Sequence, residues 1–282
     1  MRAELLLVLA LVLAGCASSD PKVVDPPRLR SALEAESDGA RRFQRGDLAI
    51  AERRFTEAAQ LFASIDDDTG KRRNRLHLVR VRLAQGRAAA ALDLLEGLPA
   101  EAASAELLSL KGQTLLALGR AGDAAQVLAA AEQACAAPCA SAAGLAILQG
   151  RAALALGDAA TALSRAERAL QLLRDRNEPN ETGNAWRLLA AGRLARGDVA
   201  ALAAAEAALQ IDRGLALPEK IARDWLLIGD IHRQAAAGKS AEAVVQAATA
   251  YRKARSVAAA AGLDEISLAA LQSLQAIGME KN

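Results

Sequence analysis

The fold is decided by residues 107–134, which read LLSLKGQTLLALGRAGDAAQVLAAAEQA. Leucines at positions 108, 115 and 118 recur with the spacing of a buried helix, which has about 3.6 residues per turn. Gly119 then favours the left-handed backbone conformation that ends many helices. Beyond it, Ala124 and Ala131 share one face of a second helix, because two helical turns separate them. This stretch predicts two antiparallel helices joined by a tight turn.

The same pattern recurs along the chain. Glycines of the predicted turns follow one another at intervals of 33 to 41 residues, at Gly46, Gly86, Gly119, Gly157, Gly197 and Gly238. Prolines recur at intervals of 39 to 41 residues, at Pro99, Pro138, Pro179 and Pro218. Several turns are predicted to read Gly-Asp, with the aspartate capping the next helix, at Gly46-Asp47, Gly122-Asp123, Gly157-Asp158 and Gly197-Asp198. We therefore predict about six helix hairpins.

Composition agrees with an all-α protein. Apolar residues make up 52% of the 282 residues and aromatic residues only 2%, so alanine and leucine must build the core. Both are strong helix formers, whereas strands prefer β-branched and aromatic residues. The segment from Leu76 to Leu83 alternates like a strand, but its place in the repeat predicts a helix. A net charge of +2 without a polybasic stretch argues against a nucleic-acid partner.

These features resemble the tetratricopeptide repeat, a family of stacked helix hairpins. Its small residue before the turn is matched by Gly112 and Gly150, and its early tryptophan by Trp186 and Trp225. The intervals here mostly exceed the family's repeat of about 34 residues. The resemblance implies a right-handed α-solenoid over residues 29–262, with a concave groove lined by the first helices. A capping helix is predicted within residues 263–282, with Asp264 as its N-cap.

The N-terminus predicts export. A positive charge at Arg2, an apolar run from Leu5 to Leu13 and small residues before Cys16 indicate a signal peptide over residues 1–15. The alternative is a transmembrane helix, but the apolar run is shorter than the roughly 18 residues that a membrane span needs. Residues 16–28 contain three prolines, which predicts a flexible tether.

The segment from Leu13 to Cys16 resembles the lipobox of bacterial lipoproteins. That resemblance implies that Cys16 becomes the N-terminus, carries fatty acyl chains and anchors the protein in a membrane. Residue 17 is alanine rather than aspartate, which by the family's sorting rule implies the periplasmic side of the outer membrane.

Five basic side chains are candidates for binding a ligand. Arg73, His77 and Arg80 follow at intervals of four and three, so they lie along one face of a predicted first helix. Counted back from the turn glycines, these residues, and similarly Arg151 and Arg187, fall where the tetratricopeptide family lines its groove. Such arginines can bind an acidic peptide or a C-terminal carboxylate. The alternative is a solvated charged face.

Cys135 and Cys139 flank Pro138, which prevents a continuous helix and allows a short disulfide. The alternative is two ordinary buried cysteines. We find no metal-binding, phosphate-binding or nucleophile motif, and we predict no cofactor and no catalytic residue.

The sequence thus predicts an envelope lipoprotein that binds an envelope protein or peptide and acts as a scaffold for assembling an envelope complex. A regulatory adaptor of a cell-wall hydrolase or protease is the alternative, followed by an enzyme of unrecognised type.

Overall fold

The computed structural model describes residues 26–98, 104–236 and 240–280. Within these ranges the chain forms helices and turns without a strand. The helices are α1 (Pro27–Gln44), α2 (Leu48–Ala63), α3 (Asp68–Ala84), α4 (Ala88–Glu96), α5 (Ala105–Ala117), α6 (Ala121–Ala134), α7 (Ala142–Ala155), α8 (Ala159–Leu173), α9 (Pro179–Ala195), α10 (Ala201–Gly214), α11 (Pro218–Ala236), α12 (Ala241–Ala260) and α13 (Asp264–Ala276). The predicted signal peptide, Cys16 and most of the tether lie outside the described residues. None of the described helices is both long and apolar enough to span a membrane.

The first twelve of these helices follow one another as hairpins. We call the first helix of each hairpin an A helix (α1, α3, α5, α7, α9, α11) and the second a B helix (α2, α4, α6, α8, α10, α12). The predicted turn glycines adopt φ between 70° and 81°, a conformation that side chains with a Cβ rarely tolerate, at Gly46, Gly86, Gly119, Gly157 and Gly197. Gly238 lies outside the described residues. The predicted Gly122-Asp123 turn is wrong, because both residues belong to the first turn of α6 and Gly119 makes the turn.

The chain divides into two compact units, Met1–His77 and Leu78–Asn282, and α3 runs through the boundary. In the first unit α1 packs on α2. Phe62 is 1% exposed and packs with small residues of both helices, Ala32, Ala35 and Ala58. Two aromatic rings, Phe55 and Phe62, are therefore the largest fully buried side chains of this unit.

In the second unit each helix from α4 onward packs on the next one along the chain. Successive A helices also touch, because α7 contacts both α5 and α9, and α9 contacts α11. The final helix α13 packs on α12 and α11 and buries Ile266 and Leu274. This sequential packing confirms the predicted all-α solenoid class and its capping helix. Asp264 is the first residue of α13 rather than its N-cap, which is Leu263.

Close contacts between helices depend on small residues. A Cβ added to Gly112 of α5 would lie 2.5 Å from the Leu128 side chain of α6. A Cβ added to Gly150 of α7 would lie 2.5 Å from Leu188 of α9. The alanines at the predicted repeat positions are buried, including Ala124 and Ala131, as the periodicity predicts. The strand-like segment Leu76–Leu83 is part of α3, so its assignment to a helix is confirmed.

Candidate functional site

Arg73 and His77 meet a carboxylate within the first unit. The Arg73 guanidinium donates from Nε and Nη2 to the two carboxylate oxygens of Glu36 on α1, at 2.5 and 2.6 Å. His77 Nε2 lies 3.6 Å from the same carboxylate, and its ring stacks on Phe55 with centroids 4.6 Å apart. Burial alone would raise the pKa of Glu36, but Arg73, with help from His77 and Asn74, lowers it. Arg73 therefore already pairs with a carboxylate of the protein itself, Glu36, whereas the sequence predicts that it binds the carboxylate of a ligand.

Arg80 is also paired. Its Nη2 lies 2.5 Å from Glu106 Oε1, which joins α3 to α5 within the second unit. Both side chains are partly exposed, at 34% and 54%, so this pair contributes little to stability on its own. It nevertheless places a negative charge beside Arg80, which makes Arg80 a poorer receptor for an acidic ligand than the sequence predicts.

Arg187 is held between two carboxylates. From α9 its Nε donates to Asp224 Oδ1 on α11 at 2.6 Å, and its Nη2 pairs with Asp212 Oδ2 on α10. The guanidinium also donates to Asn184 Oδ1 at 3.1 Å. Both aspartates are fully buried, whereas the Arg187 side chain is 19% exposed. Burial raises the pKa of Asp224 to about 6, although Arg187 opposes the rise. Arg187 thus joins three helices, which differs from its predicted role as a free receptor.

Lys220 of α11 lies beside this group. Its ammonium donates to Asn180 Oδ1 and Asn184 Oδ1, both at 2.7 Å. Burial lowers the pKa of Lys220, and the positive charge of Arg187 lowers it further. Lys220 on α11 and Asn184 on α9 therefore lie on two of the helices that Arg187 joins.

Arg151 of α7 differs from the other predicted arginines. Within the described part of the chain, no side chain or carbonyl pairs with its guanidinium. The side chain remains solvent-exposed, yet the surrounding protein lowers its pKa, as do the positive charges of Arg223 and Arg187. Arg151 is thus accessible to solvent and partly desolvated by the protein around it. We call Arg151, Asn184, Arg187, Lys220 and Arg223 the A-face cluster, because all five belong to A helices.

The cluster has the chemistry of an anion receptor. A guanidinium binds a carboxylate through two parallel hydrogen bonds, and partial desolvation strengthens that interaction. Arg223 is already paired with Glu219 on its own helix, at 2.9 Å, but both side chains are more than half exposed. Arg151 is therefore the member best placed to receive a carboxylate from outside.

Sequence reasoning missed the buried aspartates and Lys220. One signal was present for Asp212, because it continues the apolar stripe of α10 that runs through Ala201, Ala205 and Leu209. An acidic residue on a buried stripe indicates a buried counter-ion. The identity of that counter-ion depends on which helices meet, and periodicity does not give it.

The two predicted disulfide cysteines lie together after the end of α6. Cys135 and Cys139 are joined by a disulfide with 5.5 Å between their Cα atoms. Arg176 Nη1 donates to the carbonyl of Ala140 at 3.0 Å and so ties this loop to the loop after α8. Among the described residues no group of three potential metal ligands occurs.

A shallow cavity of about 390 Å³ is lined by residues of α8, α9 and α10. Its apolar wall includes Leu170, Trp186 and Ile211, and its rim includes Arg174 and Glu178. It lies where the ends of α8 and α10 meet the start of α9. No member of the A-face cluster lines it.

Stacked helix hairpins with adjacent A helices define the class of helical-repeat proteins. Residues 49–114 match the sequence family described as Tetratricopeptide repeat. Two solved structures share the fold at 13% sequence identity and a TM-score of 0.57. One is the apo form of RapI, matched over 87% of this chain and 76% of that one. The other is a Rap protein complexed with Competence and Sporulation Factor, matched over 88% and 75%.

No curated protein sequence matches the chain. At 13% identity the structural likeness concerns the fold alone. Over residues 49–114 the chain matches the repeat family, and over most of its length it shares the fold of these two structures. The predicted resemblance to that family is confirmed.

Proposed function

We propose that this protein is a lipid-anchored scaffold of the bacterial envelope whose A-face cluster binds an acidic segment of a partner protein. The observation that carries the binding site is Arg151, whose guanidinium is accessible and has no carboxylate partner within the described residues. The lipobox-like sequence ending at Cys16 supports the anchor. It also supports a place on the periplasmic side of the outer membrane, by the sorting rule described above.

Electrostatics favour a carboxylate at this position. The charged groups that shift the pKa of Arg151 are Arg223 and Arg187, and both are positive. A carboxylate at this position would therefore be attracted by Arg151 and would offset the repulsion that Arg151 experiences from Arg223 and Arg187. The Rap protein of similar fold was solved with a bound factor, which supports the idea that such hairpin arrays hold a ligand.

Crosslinking in living cells, followed by identification of the captured protein, tests the binding role. Charge reversal by Arg151→Glu should reduce capture by about tenfold or more, because hydrogen bonds to charged groups contribute about 1.5–3 kcal/mol. Arg252→Glu is the matched control, since Arg252 is exposed and lies on the B helix α12. Equal capture by the two variants would refute a binding role for the cluster.

The anchor is tested separately. Labelling with a fatty-acid analogue should mark the natural protein but not Cys16→Ser, and the natural protein should fractionate with the outer membrane. Cys135→Ser is the control, because it removes a different cysteine. An unlabelled protein that keeps residues 1–15 would refute the anchor without affecting the binding test.

A further inference from the structure

Two buried carboxylates share a single guanidinium at the junction of α9, α10 and α11. Arg187 pairs with Asp212 Oδ2 and, at 2.6 Å, with Asp224 Oδ1. Within the described residues, no other basic side chain hydrogen-bonds to either aspartate. With both carboxyls ionised, two buried negative charges would share one directly bonded positive charge, and Lys220 would offset the excess only from a distance. Burying an excess charge in this way is unfavourable, because the protein interior solvates it poorly.

The hydrogen-bonding of the pair is also incomplete. Asp212 Oδ1 and Asp224 Oδ2 are buried and have no hydrogen-bond donor within the described part of the chain. A Cβ on Gly183 of α9 would lie 3.0 Å from Asp212 Oδ1, so the absence of a side chain at that position makes room for the carboxyl. A proton on one carboxyl would reduce the excess charge and supply a donor where none is present.

The surrounding charges include one further cation that acts on the pair, Lys220, whose charge interacts with Asp212 and Asp224 without a direct hydrogen bond. The charged groups of neighbouring helices around Arg187 and the aspartates are Glu181 on α9, Lys220 and Arg223 on α11, and Arg151 on α7. The Lys220 ammonium donates to the amide oxygens of Asn180 and Asn184. On α10, Arg213 stacks over the ring of Trp225 instead, 5.0 Å from its centroid.

We propose that Asp212 and Asp224 form a proton-binding switch, in which one proton shared by the two carboxyls stabilises the junction of α9, α10 and α11, and its loss weakens that junction. The switch depends only on the buried pair and Arg187. It goes beyond the proposed binding role, and because that role is tested at Arg151, the two proposals can fail separately.

The direction of the pH effect follows from Asp224. Its pKa in the folded protein is raised to about 6 from an ordinary value of 3.8. The folded state therefore holds this proton more tightly than the unfolded state. The stabilisation is fully present below the ordinary pKa and is lost as the pH rises through about 6. As the pH rises from 3.8 to about 6, the ratio of folded to unfolded protein should fall by on the order of 100-fold through this group.

Carbon-13 NMR of the aspartate carboxyls in the natural protein is the direct test. Between about pH 4 and pH 8, one carboxyl signal assigned to the pair should titrate near the raised pKa. If both carboxyls are fully ionised at pH 5, the proposal is overturned. This measurement needs no variant, so a variant that fails to fold leaves it intact.

Asp224→Asn provides a second test, because an amide mimics the neutral carboxyl and donates a hydrogen bond. We expect this variant to melt at a higher temperature than the natural protein above pH 7 and at a similar temperature near pH 5. Hydrogen exchange should place the difference in α9, α10 and α11. Asp175→Asn, in the exposed loop after α8, is the control and should show no such pH-dependent difference. A variant that is less stable at every pH would contradict a shared proton.

Discussion

The close contact between Gly112 and Leu128 predicts that the effect of Gly112→Ala on stability depends on whether residue 128 is leucine or alanine. Leu128 is fully buried, and its side chain occupies the space that a Cβ on Gly112 would need, 2.5 Å away. Gly112→Ala improves helix propensity by about 1 kcal/mol but overpacks this contact by about 2–3 kcal/mol. We expect a net loss of about 1–2 kcal/mol in the free energy of unfolding.

Leu128→Ala should itself cost about 3 kcal/mol, because truncating a buried leucine leaves a cavity. In that background the clash is absent, and the added methyl partly fills the cavity. Gly112→Ala should then stabilise the protein by about 1 kcal/mol. The two substitutions are therefore coupled by at least about 2 kcal/mol.

Urea denaturation followed by circular dichroism, with hydrogen exchange of α5 and α6, measures all four members of this double-mutant cycle. Gly122→Ala is the control, because nothing lies within 4 Å of an added Cβ there. It should be neutral or stabilising by up to about 1 kcal/mol in both backgrounds. If Gly112→Ala has the same effect with and without Leu128, the inference that Gly112 allows α5 to pack closely on Leu128 of α6 is wrong.

Other predictions follow from single contacts. Cys135→Ser should lower the melting temperature by a few degrees, because the short loop it opens contributes only about 2 kcal/mol; reductant should have the same effect on the natural protein and none on the variant. Glu36→Gln should destabilise by on the order of 1 kcal/mol at pH 7, since exposure screens its pair with Arg73. The lowered pKa of Glu36 means that this difference should disappear as the pH falls below the ordinary value of 4.5, which melting curves across pH will show. Ser104→Ala should cost about 1 kcal/mol, because the hydroxyl accepts from the Leu107 amide at the start of α5, and hydrogen exchange of α5 will detect fraying.

Local signals predicted most of the fold. The left-handed turn at Gly157 and the buried alanine pair Ala162 and Ala169 follow from conformational preference and helical period, which act within one hairpin. The error at Gly122 has a local cause. Two glycines stand within one turn of each other, and only Gly119 has the leucine-rich helix directly before it.

The candidate site was predicted less well, because it depends on pairs of helices. The face containing Arg73 was identified, but its partner Glu36 lies 37 residues earlier in the chain. Arg187 likewise meets Asp224 from 37 residues away and Asp212 from 25 residues away. Periodicity places a side chain on a face of its own helix, and only the packing of neighbouring helices decides which charge it meets.

Ion pairs between successive A helices show how Arg151 differs from the other predicted arginines. Glu36 meets Arg73 between α1 and α3, Arg80 meets Glu106 between α3 and α5, and Arg187 meets Asp224 between α9 and α11. On α7, however, the neighbouring charges that act on Arg151 are positive. Partial desolvation by the surrounding protein and these like charges lower the pKa of Arg151. Its charged form is thus less favourable in the unliganded protein than in water, and a bound carboxylate would remove that cost.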